Sequence, residues 1–195
     1  MLTGAPDDSK NADGQTGKNC FRQGSQDRNG TIPIRSPGAR CIYTDHGFEE
    51  IIMVEGYYIS AEASDMDLEV IHSFLCRSYW AKGIPKELVR KSMQNSLCFG
   101  VFTSSKAQVG FARVVTDSSV IGYLGDVFVL EPHRKRGLGK WLMETVMSHP
   151  DLQGLRRILL ATLDAHALYE KFGFVPLRAP ERFMEKWVSD IYRKA

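Results

Sequence analysis

The feature that most constrains this 195-residue chain is an apolar run, residues 121–130, followed by a basic turn that contains two glycines. The turn, residues 134–140, reads Arg-Lys-Arg-Gly-Leu-Gly-Lys, and apolar positions at helical spacing begin near Lys140. A strand, a turn and a helix in this order direct several backbone N–H groups and the positive end of the helix dipole at one point. The sequence therefore predicts a binding site for a pyrophosphate group at this turn.

Two common phosphate-binding patterns do not fit the turn. A dinucleotide-binding turn needs G-x-G-x-x-G, and Leu142 holds the place of the third glycine. A P-loop needs glycine at the position of Arg134 and serine or threonine at the position of Trp141. These mismatches exclude nucleotide-dependent phosphoryl transfer. The remaining pattern is R-x-x-G-x-G, formed by Arg134, Gly137 and Gly139.

A second motif lies downstream, where residues 165–174 read Ala-His-Ala-Leu-Tyr-Glu-Lys-Phe-Gly-Phe. The first motif resembles the R-x-x-G-x-G/A loop that binds the acyl-CoA pyrophosphate in the GNAT superfamily of N-acetyltransferases. The second resembles the A-x-x-L-Y-E-K-x-G-F segment, which forms the helix beside the acetyl-CoA thiol in that family. The two motifs come in the family's order, with one strand-like run, residues 157–162, between them. The resemblance covers residues 55–187.

The apolar periodicity predicts a mixed α/β domain. The expected order is strand, two helices, three strands, helix, strand, helix, strand. We expect the first strand at 57–61, Asp65 as the cap of the first helix, Pro85 at the start of the second, and a last strand at 183–187. The resemblance implies the GNAT (acyl-CoA N-acyltransferase) fold, a mixed central sheet flanked by helices, in which two splayed central strands admit the pantetheine arm.

Composition sets the domain boundaries and the expected partners. Residues 1–50 are rich in Gly, Ser, Asn, Asp and Pro without sustained periodicity, which predicts a disordered N-terminal extension before a domain at 51–195. A net charge of +2 argues against nucleic acid as a partner, and no apolar run approaches the ~20 residues that span a bilayer. The four cysteines lack metal-ligand spacing, so we expect reduced thiols, no metal site and a cytoplasmic protein.

The resemblance implies how the coenzyme is held. Backbone N–H groups of the turn bind the pyrophosphate, and the end of the preceding strand pairs with the pantetheine amides. One N–H, from Phe128 or Val129, points at the thioester oxygen. Asp164 lies near the place where many relatives carry an asparagine that contacts the coenzyme arm, although it also suits a helix N-cap. The implied coenzyme contacts are Phe128, Val129, Leu130, Arg134, Lys135, Arg136, Gly137, Leu138, Gly139, Lys140 and Asp164.

Five further residues are candidates for the chemistry and for the acceptor. Tyr169 corresponds to the tyrosine that many family members use as a general acid toward the departing thiolate. Asp126 is a candidate general base, or a carboxylate that attracts the ammonium. Tyr79, Trp80 and Arg113 are expected near the acceptor. The two aromatic rings either wall an amine pocket by cation–π attraction or close the end of a helix against the core.

The resemblance implies transfer of an acetyl group from acetyl-CoA to a primary amine, by direct attack in a ternary complex. We expect a small metabolite as the acceptor. Two alternatives stay open: a non-catalytic acyl-CoA sensor that keeps the turn without turnover, and a protein or peptide N-acetyltransferase. A homodimer is a possible assembly.

Overall fold

The computed structural model describes residues 32–33, 39–44, 47–52, 54–189 and 191–193, the first three ranges by their backbone. The chain divides between Ile51 and Ile52 into two compact units. The first contains three strands, β1 (Ile32–Pro33), β2 (Ala39–Thr44) and β3 (Gly47–Ile52), in the order β1-β2-β3. The composition of residues 1–50 predicts a disordered extension without strands. The rest of residues 1–50 lies outside the described residues, so the predicted disordered extension and the domain limits stay predictions.

The second unit is built on a five-stranded mixed sheet with helices against it. Its strands follow one another in space as in sequence; the first four are antiparallel and the last pair is parallel. The elements are β4 (Tyr57–Ser60), α1 (Leu68–Leu75), α2 (Lys86–Gln94), β5 (Leu97–Thr103), β6 (Gln108–Thr116), β7 (Ile121–Val129), α3 (Leu138–Met147), β8 (Arg157–Leu160) and α4 (His166–Tyr169). This confirms the predicted α/β class.

Helix starts follow local chemistry. The Asp67 carboxylate accepts hydrogen bonds from the N–H groups of Glu69 and Val70 and so caps α1. The prediction of Asp65 as this cap is wrong, because Asp65 ends a short 3₁₀ turn and its carboxylate accepts a hydrogen bond from Ser60. Pro85 directly precedes α2, as predicted. Its fixed φ suits a helix start.

The core lies between the sheet and its helices. Ile71 and Leu75 of α1 and Val89 of α2 are at most 1% exposed, and they belong to one apolar cluster with Phe111 of β6 and Phe128 of β7. On α3, the apolar side chains spaced along one face are buried and the helix contacts β5, β6 and β7. The helices thus cover the sheet with apolar side chains, and the helical spacing of these residues is visible in the sequence.

Strand β7 contains one extra residue relative to β6. Phe111 lies opposite Phe128, whereas Arg113 lies opposite Gly125, so a bulge falls between these pairs. Asp126 sits in the bulge with a φ of +54°. On its other side β7 pairs with β8 only over 121–124, and no strand of the described residues pairs with the remainder of β7 there. The sheet is therefore open beside the second half of β7.

The predicted last strand at 183–187 is wrong, because residues 183–188 have no regular secondary structure. The apolar residues of this segment come as adjacent pairs, Phe183 with Met184 and Trp187 with Val188, instead of alternating. A strand would place one member of each pair on its polar face. In the structure Met184 is 97% exposed and Trp187 is 74% exposed.

We predict that Phe111→Ala destabilises the domain by about 3–5 kcal/mol, because the fully buried ring leaves a cavity under α1. Val115→Ala, at a 44% exposed position of the same strand, is the matched control and should change the stability by at most about 0.5 kcal/mol. Urea unfolding followed by circular dichroism measures both. Equal losses in the two variants would contradict this placement of the core.

Candidate active site

The basic turn leads directly into α3 with its first amides uncapped. Gly137 has a φ of +83° and occupies the N-cap position of α3, and no side chain of the described residues accepts a hydrogen bond there. This left-handed conformation suits glycine. The N–H of Trp141 is the first to bond within the helix, to the Gly137 carbonyl. The amides of Leu138, Gly139 and Lys140 therefore face outward at the positive end of the helix dipole, an arrangement that suits an anion.

The cations of the turn are partly engaged within the protein. Arg134 Nε donates to the carbonyl oxygen of Val129 at 2.9 Å and so ties the turn to the end of β7. Lys140 Nζ lies 3.1 Å from Glu144 Oε1, one helical turn away. Lys135 has a φ of +62°, so two left-handed residues shape this turn. Backbone amides, with Lys135 and Arg136 nearby, are thus the main feature for holding a phosphate.

A contact that the sequence did not predict links the start of the turn to β4, an edge strand of the sheet. The hydroxyl of Tyr57 on β4 lies 2.8 Å from His133 Nδ1, and the two rings meet edge to face. His133 immediately precedes Arg134. These partners are 76 residues apart in the sequence, and no local pattern connects them.

The open side of β7 presents the N–H of Val129. Successive N–H groups along a strand point to opposite sides. Leu130 N–H donates to Val109 O on β6 at 2.8 Å, and Phe128 pairs with Phe111 of β6. The amide of Val129 therefore faces away from β6, where no strand of the described residues covers it. Of the two N–H groups predicted for the thioester oxygen, that of Val129 faces the open side of β7, and its contact with the thioester stays a prediction. The Phe128 side chain is buried and stacks on Phe74 with the ring centroids 3.9 Å apart.

Asp126 joins two of the residues that the sequence places at the acceptor. Its Oδ2 accepts a hydrogen bond from Arg113 Nε at 2.5 Å and its Oδ1 accepts one from Trp80 Nε1 at 3.0 Å. Arg113 Nη1 also contacts Ser96 Oγ at 3.3 Å. The side chains of Arg113 and Asp126 are 20% and 11% exposed, so this ion pair is largely shielded from solvent. The bulge of β7 thus directs Asp126 toward β6 and the segment after α1.

Tyr169 is buried at the end of α4, with 8% of its surface exposed. Burial first, and then the neighbouring Tyr79 and Asp164, raise the pKa of its hydroxyl from 10.0 to about 12. The alternative role of Asp164 as the helix cap is wrong, because Ala165 holds the N-cap position and its N–H donates to Thr162 Oγ1. The coenzyme contact predicted for Asp164 stays a prediction.

Among the residues that the structure describes, no group of three or more His, Cys, Asp or Glu side chains is arranged to hold a metal ion. Within the same residues no helix is long and apolar enough to cross a bilayer.

Comparisons with known proteins agree with this geometry. The family model of the acetyltransferase (GNAT) domain matches residues 94–176. A crystal structure from Xanthomonas campestris pv. campestris, of a protein assigned to the GNAT family, is 50% identical, with a TM-score of 0.68 over 70% of this chain and 96% of that chain. A protein of Gibberella zeae that is named as an acetyltransferase is 28% identical over 137 residues, 59% of this chain and 76% of that protein.

A more distant structure shows the same fold. Glucosamine-6-phosphate N-acetyltransferase from Arabidopsis thaliana superposes with a TM-score of 0.50 at 18% identity, over 68% of this chain and 99% of that chain. The family model and the similarity to the Xanthomonas campestris protein define the class, an acyl-CoA-dependent acyltransferase. The chain belongs to the GNAT family of N-acetyltransferases.

We predict that Tyr169 keeps its proton well above the pH at which an ordinary tyrosine ionises. An acid loses its function as the pH rises through its pKa, and burial raises the pKa of Tyr169 to about 12. The rate should therefore show no loss through this group between pH ~7 and ~10.5. The measurement is kcat against pH for the natural enzyme and Tyr169→Phe. A falling limb near pH 10 that is absent from the variant would contradict the raised pKa.

Proposed function

We propose that this protein transfers the acetyl group of acetyl-CoA to a primary amine by direct attack in a ternary complex. The observation that carries the proposal is the placement of the uncapped start of α3 and the open side of β7 on one continuous stretch of chain, 127–140. A coenzyme that holds a pyrophosphate, an amide-bearing arm and a thioester in a row matches this stretch. Membership of the GNAT family supports the same coenzyme.

The residues fit acetyl-CoA at its pyrophosphate and at its thioester. The amides of Leu138, Gly139 and Lys140 would hold the pyrophosphate, and a Cβ at Gly139 would meet no atom of the described residues within 4 Å. The Val129 amide would donate to the thioester carbonyl and stabilise the oxyanion that develops there. When bound, acetyl-CoA supplies an activated acyl group, and the protein supplies the donors that orient it.

The protein's part in the reaction is proton handling. The amine nitrogen forms a bond to the carbonyl carbon, the carbon–sulfur bond breaks, and the departing sulfur needs a proton. Tyr169 Oη carries such a proton at neutral pH, and burial raises the pKa of this hydroxyl further, to about 12. The attacking amine loses a proton, for which Asp126 stays the predicted base. In this structure both of its carboxylate oxygens already accept hydrogen bonds.

The state of Cys98 supports direct attack instead of an acyl-cysteine intermediate. This thiol lies on β5 opposite Arg113, is 6% exposed, and donates weakly to backbone carbonyls. Burial raises the pKa of the Cys98 thiol from 9.0 to about 11, although the neighbouring Arg113 opposes the shift. A protonated thiol is a poor nucleophile, so Cys98 does not compete with the amine for the acetyl group.

We propose a small metabolite as the acceptor, with Tyr79, Trp80 and Arg113 beside its path. Tyr79 is 58% exposed and Trp80 is 39% exposed, so aromatic surface is available to an incoming ammonium group. A cytoplasmic location and a homodimer belong to the same proposal. A protein or peptide acceptor is the second candidate, and an amine panel that includes free metabolites and short peptides separates the two.

We predict that Gly139→Leu weakens acetyl-CoA binding by more than about tenfold, because the added side chain occupies space at the first amides of α3. The free domain should keep its stability, since the position is helical and a Cβ there meets no described atom within 4 Å. Gly139→Ala is the matched control, and its small methyl group should leave binding nearly unchanged. Isothermal titration calorimetry measures affinity, and thermal unfolding measures stability. Natural affinity in Gly139→Leu would place the pyrophosphate elsewhere.

We predict that Tyr169→Phe lowers the rate of free-thiol release with an active amine about 10²-fold, because one positioned acid is lost. Acetyl-CoA affinity should stay near the natural value, since the pyrophosphate turn is intact. The assay is thiol detection across an amine panel, with binding measured in parallel. An unchanged rate would remove Tyr169 from the mechanism. Tight acetyl-CoA binding without thiol release for any amine would instead favour the sensor alternative.

A further inference from the structure

Two adjacent aromatic residues after α1 are hydrogen-bonded to two different parts of the site. Trp80 Nε1 donates to Asp126 Oδ1 on β7 at 3.0 Å. The hydroxyl oxygen of Tyr79 accepts the N–H of Leu163 at 3.1 Å, three residues beyond the end of β8. The two rings contact each other edge to face, with centroids 4.8 Å apart. We call residues 79–80 the aromatic bridge.

The two anchor points lie on either side of the opening in the sheet. Strands β7 and β8 pair up to Leu124 and Leu160, and Asp126 and Leu163 each lie just past that point. The aromatic bridge therefore joins the two strands where their own hydrogen bonds have ended. A simple core-closing role does not explain the pair, because Tyr79 is 58% exposed and the polar atoms of both rings are engaged.

The bridge is itself supported from the core. The Trp80 ring is tilted against the Phe74 ring of α1, with the ring centroids 6.2 Å apart. Phe74 in turn stacks on Phe128 of β7, with the centroids 3.9 Å apart. On the β7 side, the Asp126 carboxylate is held by Arg113 as well as by Trp80. On the other side, Leu163 lies six residues before Tyr169, which is the last residue of the short α4. Motion of the bridge would thus move the segment that carries the acid.

We infer that the aromatic bridge positions the reacting groups: Tyr79 and Trp80 fix the distance between β7 and the segment after β8, and so align Tyr169 with the amide of Val129. Neither residue donates a proton to the reactants in this role, and both are positioning residues. The inference rests on the proposed function, since it assigns the alignment that this reaction needs. Displacement of a reacting group by about 1 Å can cost about 10²-fold in rate.

The kinetic test removes one anchoring hydrogen bond in each variant, and Trp80→Phe also replaces the indole with a smaller ring. Tyr79→Phe and Trp80→Phe should each lower kcat about tenfold, with the KM for acetyl-CoA changed less than about twofold, because the pyrophosphate turn is untouched. The double variant should lose little more than either single variant, since one broken anchor already frees the bridge. Tyr58→Phe, at a half-buried tyrosine of β4, is the control and should keep the natural kcat. Additive losses, or a rise only in the KM for the amine, would overturn the inference.

A second measurement tests the bridge without turnover. The chain has three tryptophans, so the Trp80 indole N–H resonance in a ¹⁵N spectrum can be assigned by its loss in Trp80→Phe. Tyr79→Phe should shift both this resonance and the Leu163 amide, whereas Tyr58→Phe should shift neither. If both resonances are unchanged in Tyr79→Phe, the bridge does not exist in solution. If they shift but no amine is acetylated by the natural protein, the proposed function fails and the bridge stands as a structural element.

Discussion

The single extra residue in β7 is the constraint on which the site depends. Side chains alternate faces along a strand, so an insertion of one residue reverses which side the following residues face. After the bulge, the Phe128 side chain enters the core and the Val129 amide points to the open side. Without the bulge, these two orientations would exchange. The register of β7 thereby decides both the packing under α1 and which amide faces the open side of the sheet.

The left-handed backbone in the bulge costs free energy, and two hydrogen bonds hold it in place. A left-handed residue other than glycine costs about 1–2 kcal/mol, and Asp126 has a φ of +54°. Its two hydrogen bonds, to Arg113 and Trp80, hold it in that conformation. A shielded ion pair is weak evidence of added stability, because desolvation opposes the Coulomb attraction. Its effect here is geometric: it fixes the carboxylate and, through Trp80, the segment after α1.

The sequence predicted the parts of the site that are local. The turn at 134–140 and the segment around Tyr169 are short motifs, and their conformations depend on neighbouring residues. The helix cap was misplaced by two positions because Asp65 and Asp67 precede the same apolar run. The contacts Tyr57–His133 and Tyr79–Leu163 join residues 76 and 84 positions apart. They depend on strand register and on the bulge, which no pattern in one sequence displays.

Coenzyme and acceptor recognition come from different parts of the chain. In the proposed function, the turn and the end of β7 form one contiguous segment whose backbone amides would bind the coenzyme. The proposed acceptor side combines the segment after α1, Arg113 on β6 and Asp126 in the bulge. Changes in the segment after α1 can therefore alter which amine is admitted while the pyrophosphate turn stays the same. Under the proposed positioning role of the aromatic bridge, such changes would act on kcat as well as on amine affinity and would couple acceptor choice to turnover.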